Sequence, residues 1–85
     1  MNLRTLTKID EGAFSFCGFT SLTVPESITS IGRGAFRYCE FLEKIIIGDN
    51  VTQIGGFAFA NCSRASELVI GEKVKEIGAG AFYNI

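Results

Sequence analysis

The chain has 85 residues and a formal net charge of -1; 47% of its residues are hydrophobic and 20% are charged. This composition excludes an intrinsically disordered chain, and the length corresponds to one small domain. The charge gives no electrostatic basis for binding nucleic acid, and no apolar run approaches the roughly 20 residues that insertion into a membrane requires. We expect no signal peptide within this chain, because residues 1–8 lack a continuous apolar stretch.

A short motif containing Ala-Phe recurs along the whole sequence. Its phenylalanines, Phe14, Phe36, Phe59 and Phe82, follow one another at intervals of 22, 23 and 23 residues. A fixed period of this length is typical of a solenoid, in which each repeat covers the apolar face of the next. We therefore predict a single domain over residues 1–85, with about three and a half repeats whose cores lie near 6–24, 28–47, 51–70 and 74–85.

Each repeat begins with two aliphatic residues three apart that enclose two other residues, at 6–9, 28–31, 51–54 and 74–77. This pattern predicts a short strand or extended turn whose last aliphatic side chain points inward. Glycine usually follows, because the backbone must bend there. We expect Gly34 and Gly80, slightly further on, to permit close approach of the adjacent coil.

The Ala-Phe-x-x-Cys segment comes next and predicts a single helical or 3-10 turn. Its phenylalanines are expected to stack in the core, and Cys17, Cys39 and Cys62 to form a column of reduced, structural thiols. The chain has no histidine and no Cys-x-x-Cys pair. We therefore expect no metal site and no cofactor.

The second half of each repeat predicts a clearer strand, at 19–24, 42–47 and 65–70. β-Branched residues and a period of two predict that Leu22/Val24, Ile45/Ile47 and Leu68/Ile70 face inward. The outward residues form the candidate partner-binding face, called the strand face below: Ser21, Thr23, Lys44, Ile46, Glu67 and Val69. Exposed apolar groups with a polar border mark partner sites, but β-branched residues also occur in exposed strands without any such role.

A second group, Phe16, Arg33, Arg37 and Tyr38, falls in the predicted turns and combines arginine with aromatic residues, as binding hot spots do. The equivalent positions of the next repeat hold Gly56, Ala60 and Asn61, so no continuous ridge follows. This contrast favours an ordinary solvated turn.

Catalysis finds little support, because the commonest general base, histidine, is absent. The ends of the predicted solenoid are not polar, so association of copies through uncapped terminal coils, or a place within a longer array, is the alternative to binding a foreign protein.

The recurring pattern Leu-x-x-Ile-x-Ile-(Pro/Gly)-x-x-Val-x-x-Ile-Gly-x-x-Ala-Phe-x-x-Cys resembles the BspA-type leucine-rich repeat over nearly all of residues 6–82. Departures are Phe57 where other copies have glycine, Ala65 for leucine and Ile85 for cysteine. The resemblance implies an α/β repeat solenoid of the leucine-rich-repeat type, a right-handed superhelix with short parallel strands and short helical or 3-10 turns.

The same resemblance implies an extracellular or cell-surface, non-enzymatic module that binds a protein partner or mediates adhesion. The family has no fixed ligand-binding motif, so no binding residue transfers from it. The alternative, a structural segment that stacks end to end as a homo-oligomer, stays open.

Overall fold

The computed structural model describes residues 6–85, which fold into a solenoid of short parallel strands. The strands are β1 (Lys8–Ile9), β2 (Ser21–Thr23), β3 (Ser30–Ile31), β4 (Lys44–Ile46), β5 (Gln53–Ile54), β6 (Glu67–Val69) and β7 (Glu76–Ile77). They form a four-stranded sheet in the order β1-β3-β5-β7 and a three-stranded sheet in the order β2-β4-β6. Every pairing is parallel, and each joins equivalent positions of successive coils. Both strand predictions of the repeat are thereby confirmed.

The core contains a column of phenylalanine rings, which pack against the inward side chains of the two sheets. Phe14, Phe36, Phe59 and Phe82 stack with centroid separations of 5.4, 5.1 and 5.6 Å and with interplanar angles of 7° or less. Phe36 and Phe59 are fully buried. Aliphatic side chains from both sheets, including Ile31, Ile45 and Ile54, complete the core. The predicted stacking of the phenylalanines is confirmed.

The segments that carry these phenylalanines are successive turns. Among residues 6–85 no helix is present, so the helical part of the fold prediction is not confirmed. In the first turn the amides of Ala13 and Ser15 donate to carbonyls three residues earlier, at Asp10 and Gly12. The intervening amide of Phe14 donates instead to the next coil. This alternation of bonds within and between coils prevents a continuous helix, although the segment still turns sharply.

The glycines that permit close approach of the coils are only in part the ones that the sequence indicated. A Cβ atom on Gly55 would lie 2.5 Å from the backbone nitrogen of Arg33 in the preceding coil. At Gly34 the nearest atoms outside its chain neighbours are those of Arg37, 3.9 Å away. Gly34 is required instead by its φ of +62°, in the left-handed region that favours glycine. The expectation of close approach was therefore wrong at Gly34, whereas at Gly80 a Cβ atom would lie 2.7 Å from a ring of the preceding coil, as expected.

The inward side chains of the second sheet become less buried toward the last coil. Leu22, Val24, Ile45 and Ile47 are buried, as predicted. The side chains of β6 that follow the same alternation, Leu68 and Ile70, are each 39% exposed. β6 is the last strand of this sheet, and within residues 6–85 no later strand of the sheet covers its inward side chains. No helix in residues 6–85 has the length and apolar character needed to cross a membrane.

Candidate functional site

The strand face predicted from the sequence lies on the three-stranded sheet, and its residues stand in register. Ser21 pairs with Lys44 and Lys44 with Glu67, which forms one row across β2, β4 and β6. Thr23, Ile46 and Val69 form the second row. The parallel pairing of equivalent positions brings residues more than 20 positions apart in the sequence side by side. The structure thus places all six candidate residues on one continuous surface.

The strand face combines one ion pair with a small apolar area. Lys44 Nζ lies 3.5 Å from Glu67 Oε2, and both side chains are more than half exposed. Val69 is 50% exposed, whereas Ile46 is only half-buried rather than fully in solvent as expected. The two neighbouring strands shield Ile46, which is on the central strand. The exposed apolar area of this face is therefore centred on Val69.

The turn side holds a second cluster, which the sequence interpretation had treated as ordinary solvated turns. The Phe16 and Tyr38 rings stack at 4.9 Å, and the Arg37 guanidinium lies 5.2 Å from the Tyr38 ring centroid. Arg33 and Arg37 both lie over the ring of Phe57, at 5.7 and 5.4 Å. We refer to these five residues as the aromatic–arginine cluster.

Phe57 was missed as a member of this cluster by sequence reasoning. The available signal was its departure from the repeat, since glycine occupies the equivalent positions 34 and 80. That departure was noted, but the partners of the ring depend on how successive coils stack. Position in a repeat predicts which residues are equivalent. It does not predict contacts between side chains at different repeat positions of neighbouring coils.

The cysteines belong to the packing of the turns. All three are free thiols; Cys39 Sγ donates a hydrogen bond to the Phe14 carbonyl at 3.1 Å, and Cys62 Sγ to the Phe36 carbonyl at 3.3 Å. Burial raises the pKa of Cys39, and it raises the pKa of Cys62 to about 11. A thiol is a much weaker nucleophile than a thiolate, so neither buried cysteine is suited to nucleophilic chemistry near neutral pH. The expectation of reduced thiols in the core is consistent with these contacts.

Parallel in-register strands on two sides, a stacked phenylalanine column and a repeat of about 23 residues define a leucine-rich-repeat solenoid. The family model described as "BspA type Leucine rich repeat region" matches residues 2–85 in 6 copies. The chain belongs to this family. No curated protein matches the sequence.

A solved structure with the same fold is the crystal structure of a leucine rich cell surface protein from Faecalibacterium prausnitzii A2-165. The two share 34% sequence identity with a TM-score of 0.81, over 93% of this chain. The aligned region is 22% of that protein, so the chain spans about a fifth of its length. The likeness therefore concerns the repeat architecture, and it carries no ligand or partner with it.

Proposed function

We propose that the chain is a non-catalytic, surface-exposed module that binds a protein partner through its strand face. The observation that supports this most directly is the alignment of the six candidate residues in two rows across β2, β4 and β6. Membership of the leucine-rich-repeat family and the cell-surface description of the similar structure favour the same role. Repetition supplies a rigid surface, and the changing side chains along each row supply specificity.

The composition of the rows favours a partner with a mixed surface. Lys44 and Glu67 form an ion pair with each other in the unbound protein, so their charges do not select strongly for an acidic or a basic ligand. Val69 offers an exposed apolar contact beside that pair. Interfaces generally place an apolar centre inside a polar rim. The partner surface would accordingly present an apolar side chain toward Val69 and hydrogen-bonding groups toward Ser21 and Thr23.

The proposal is tested by site-specific photocrosslinking in the cells that produce the protein. A benzophenone amino acid is placed at Thr23 on the strand face, and separately at Lys8, which is exposed on β1 of the other sheet. We expect one discrete crosslinked species from position 23 and none from position 8. Adding Val69→Lys should remove that species without changing the unfolding midpoint, because Val69 is half exposed. Equal crosslinking from both positions, or none from position 23, would contradict binding at this face.

A second role is supported by the surface at the last coil, where copies could stack. Large apolar side chains exposed there are Leu68, Ile70, Ile77, Tyr83 and Ile85. The edges of β6 and β7 also present backbone groups that can pair with another strand. On this alternative the main partner is a second copy of the chain.

Light scattering across a concentration series separates the two roles. End-to-end stacking predicts a mass that rises with concentration, and Leu68→Lys should suppress the rise while Val69→Lys leaves it unchanged. A constant monomer mass at every concentration would exclude self-association as the function.

A further inference from the structure

The aromatic–arginine cluster lines a groove on the turn side that the strand-face proposal does not use. The groove has a volume of about 330 Å³, and Glu11 also lines it. Phe16 is 73% exposed, so one face of its ring is open to solvent while the other stacks on Tyr38. A large, exposed aromatic ring held rigid by a second ring is a contact surface that loses little conformational freedom on binding.

The backbone of the three aromatic residues of the cluster is in an unfavourable conformation. Phe16, Tyr38 and Phe57 have φ values of +62°, +61° and +58°. A bulky residue in the left-handed region is an outlier that costs on the order of 1 kcal/mol or more. In the two later coils, Asn61 and Asn84 occupy the position of Phe16 and Tyr38, and asparagine tolerates this conformation better. Three strained aromatic residues around a single groove indicate a role beyond folding.

Phe57 is the clearest case of this strain, because the equivalent positions of other repeats hold glycine. Its ring contacts Arg33 and Arg37 of the preceding coil and also lies against Gly80 of the next coil. A Cβ atom on Gly80 would lie 2.7 Å from Phe57 Cε1, so the ring occupies space that only glycine leaves open. Packing in the core gains nothing from this arrangement, since the ring is on the turn side and only half-buried.

The two guanidinium groups provide the charge of the groove. Within the part of the chain that the structure describes, neither Arg33 nor Arg37 has a carboxylate within ion-pair distance. Both guanidinium carbons nevertheless lie within 5.7 Å of the centroid of one ring, and two like charges that share one ring repel each other. An anion placed between them would relieve that repulsion. Guanidinium groups present paired N–H donors that match a carboxylate.

Glu11 restricts which anion fits. With two arginines and one glutamate at its edge, the groove carries a net charge of about +1, which suits a single carboxylate better than a polyanion. The Glu11 carboxylate accepts hydrogen bonds and so matches the N–H groups of a peptide backbone. Phosphate-rich ligands lack such donors, and Glu11 would repel them.

We propose that this groove binds a segment of a partner protein in which an aspartate or glutamate lies beside an aromatic residue. The carboxylate contacts Arg33 and Arg37, and the aromatic side chain stacks on the open face of Phe16. This site is independent of the strand face, so either can fail without the other.

The probe is the blocked peptide acetyl-Gly-Asp-Phe-Gly-amide, added to ¹⁵N-labelled protein and followed by amide chemical shifts. We expect saturable shifts at residues around the groove, such as Gly34 and Phe57, and none on the strand face. The matched peptide with asparagine for aspartate should bind at least about tenfold more weakly, since a hydrogen bond to a charged group is lost.

Variants then assign the binding to the named side chains. Arg33→Gln and Arg37→Gln should each weaken binding at least about tenfold. Arg64→Gln is the matched control, because Arg64 also lies over an aromatic ring, Phe41 at 4.7 Å, but outside the groove. Phe57→Gly restores the residue found in the other repeats. It should leave the unfolding midpoint nearly unchanged and abolish peptide binding.

Several results would overturn the proposal. They are the absence of saturable shifts with the aspartate peptide, equal affinity for the asparagine peptide, or unchanged binding by the folded Phe57→Gly variant. Tighter binding of oligogalacturonate than of the peptide would also overturn it, by showing that the carboxylate comes from an acidic saccharide. Equal loss of binding with Arg64→Gln would show that general surface charge, rather than the groove, attracts the peptide.

Discussion

Replacing Phe36 with alanine removes the side chain at the centre of the phenylalanine column. Its ring is fully buried and stacks on Phe14 at 5.4 Å and on Phe59 at 5.1 Å, while Phe19 meets its edge at 6.2 Å. Truncation of a buried phenylalanine costs about 3–5 kcal/mol, and the rigid stack on both sides limits collapse of the cavity. We expect a loss near the upper end of that range.

The whole domain is expected to be only modestly stable. At about 0.05–0.15 kcal/mol per residue, a chain of 85 residues has a free energy of unfolding of roughly 4–13 kcal/mol. Phe36→Ala should therefore consume a large share of the stability, and it should unfold the protein outright if the total lies at the low end of this range. Unfolding in urea, followed by circular dichroism at 25 °C, gives the free energy directly.

Two further variants make the result interpretable. Phe14→Ala should cost less than Phe36→Ala, because Phe14 is only half-buried at the end of the column. Phe41→Ala, at a ring that is 47% exposed, should cost less than about 1 kcal/mol. If Phe36→Ala lost less than about 1.5 kcal/mol, or no more than Phe41→Ala, the stacked column would not be the principal source of stability.

Three other measurements follow from the packing and the charges. Gly55→Ala should lower the free energy of unfolding, measured in urea, by about 1–3 kcal/mol, because the new Cβ would lie 2.5 Å from backbone. Gly18→Ala, where no atom lies within 4 Å of the new Cβ, should be neutral or stabilising. Equal effects of the two substitutions would contradict the close approach at Gly55. Burial raises the Cys62 pKa from 9.0 to about 11, so the thiol ionises first in the unfolded state. The free energy of unfolding should therefore fall as pH rises between these values, by about 3 kcal/mol at most. Cys62→Ala should show a shallower fall over that range, and an unchanged slope would refute this assignment. A double-mutant cycle on Lys44 and Glu67, both more than half exposed, should give a coupling free energy below about 1 kcal/mol, and a larger value would show that the pair is better ordered than its exposure indicates.

The repeat pattern alone predicts most of the fold. A period of 22 or 23 residues means that equivalent positions recur on successive coils, so the phenylalanine column and the strand register follow from counting. The alternation in the second strand likewise predicts which of Ile45 and Ile46 faces inward. For the same reason the strand face could be predicted from sequence in all six positions, although its use as a binding surface stays a proposal.

The sequence does not determine how each coil fills the space between its strands. Ala-Phe-x-x-Cys has helical spacing, but alternate amides donate to the next coil and the segment forms separate turns. The sequence also cannot show which glycine meets a neighbouring backbone. Gly55 lies against the backbone of the preceding coil, whereas Gly34 is required by its positive φ.

The aromatic–arginine cluster depends on tertiary structure in the same way. Phe16 and Tyr38 occupy equivalent repeat positions, so their stacking follows from the period. Phe57 occupies a different position in the repeat, and Arg33 and Arg37 reach it from the preceding coil. The sequence by itself therefore determined the repeat, the core and the face of the sheet, since these depend on periodic burial. Only the stacked coils decided which side chains meet across the repeat, because long side chains on neighbouring turns fill whatever space the glycines leave.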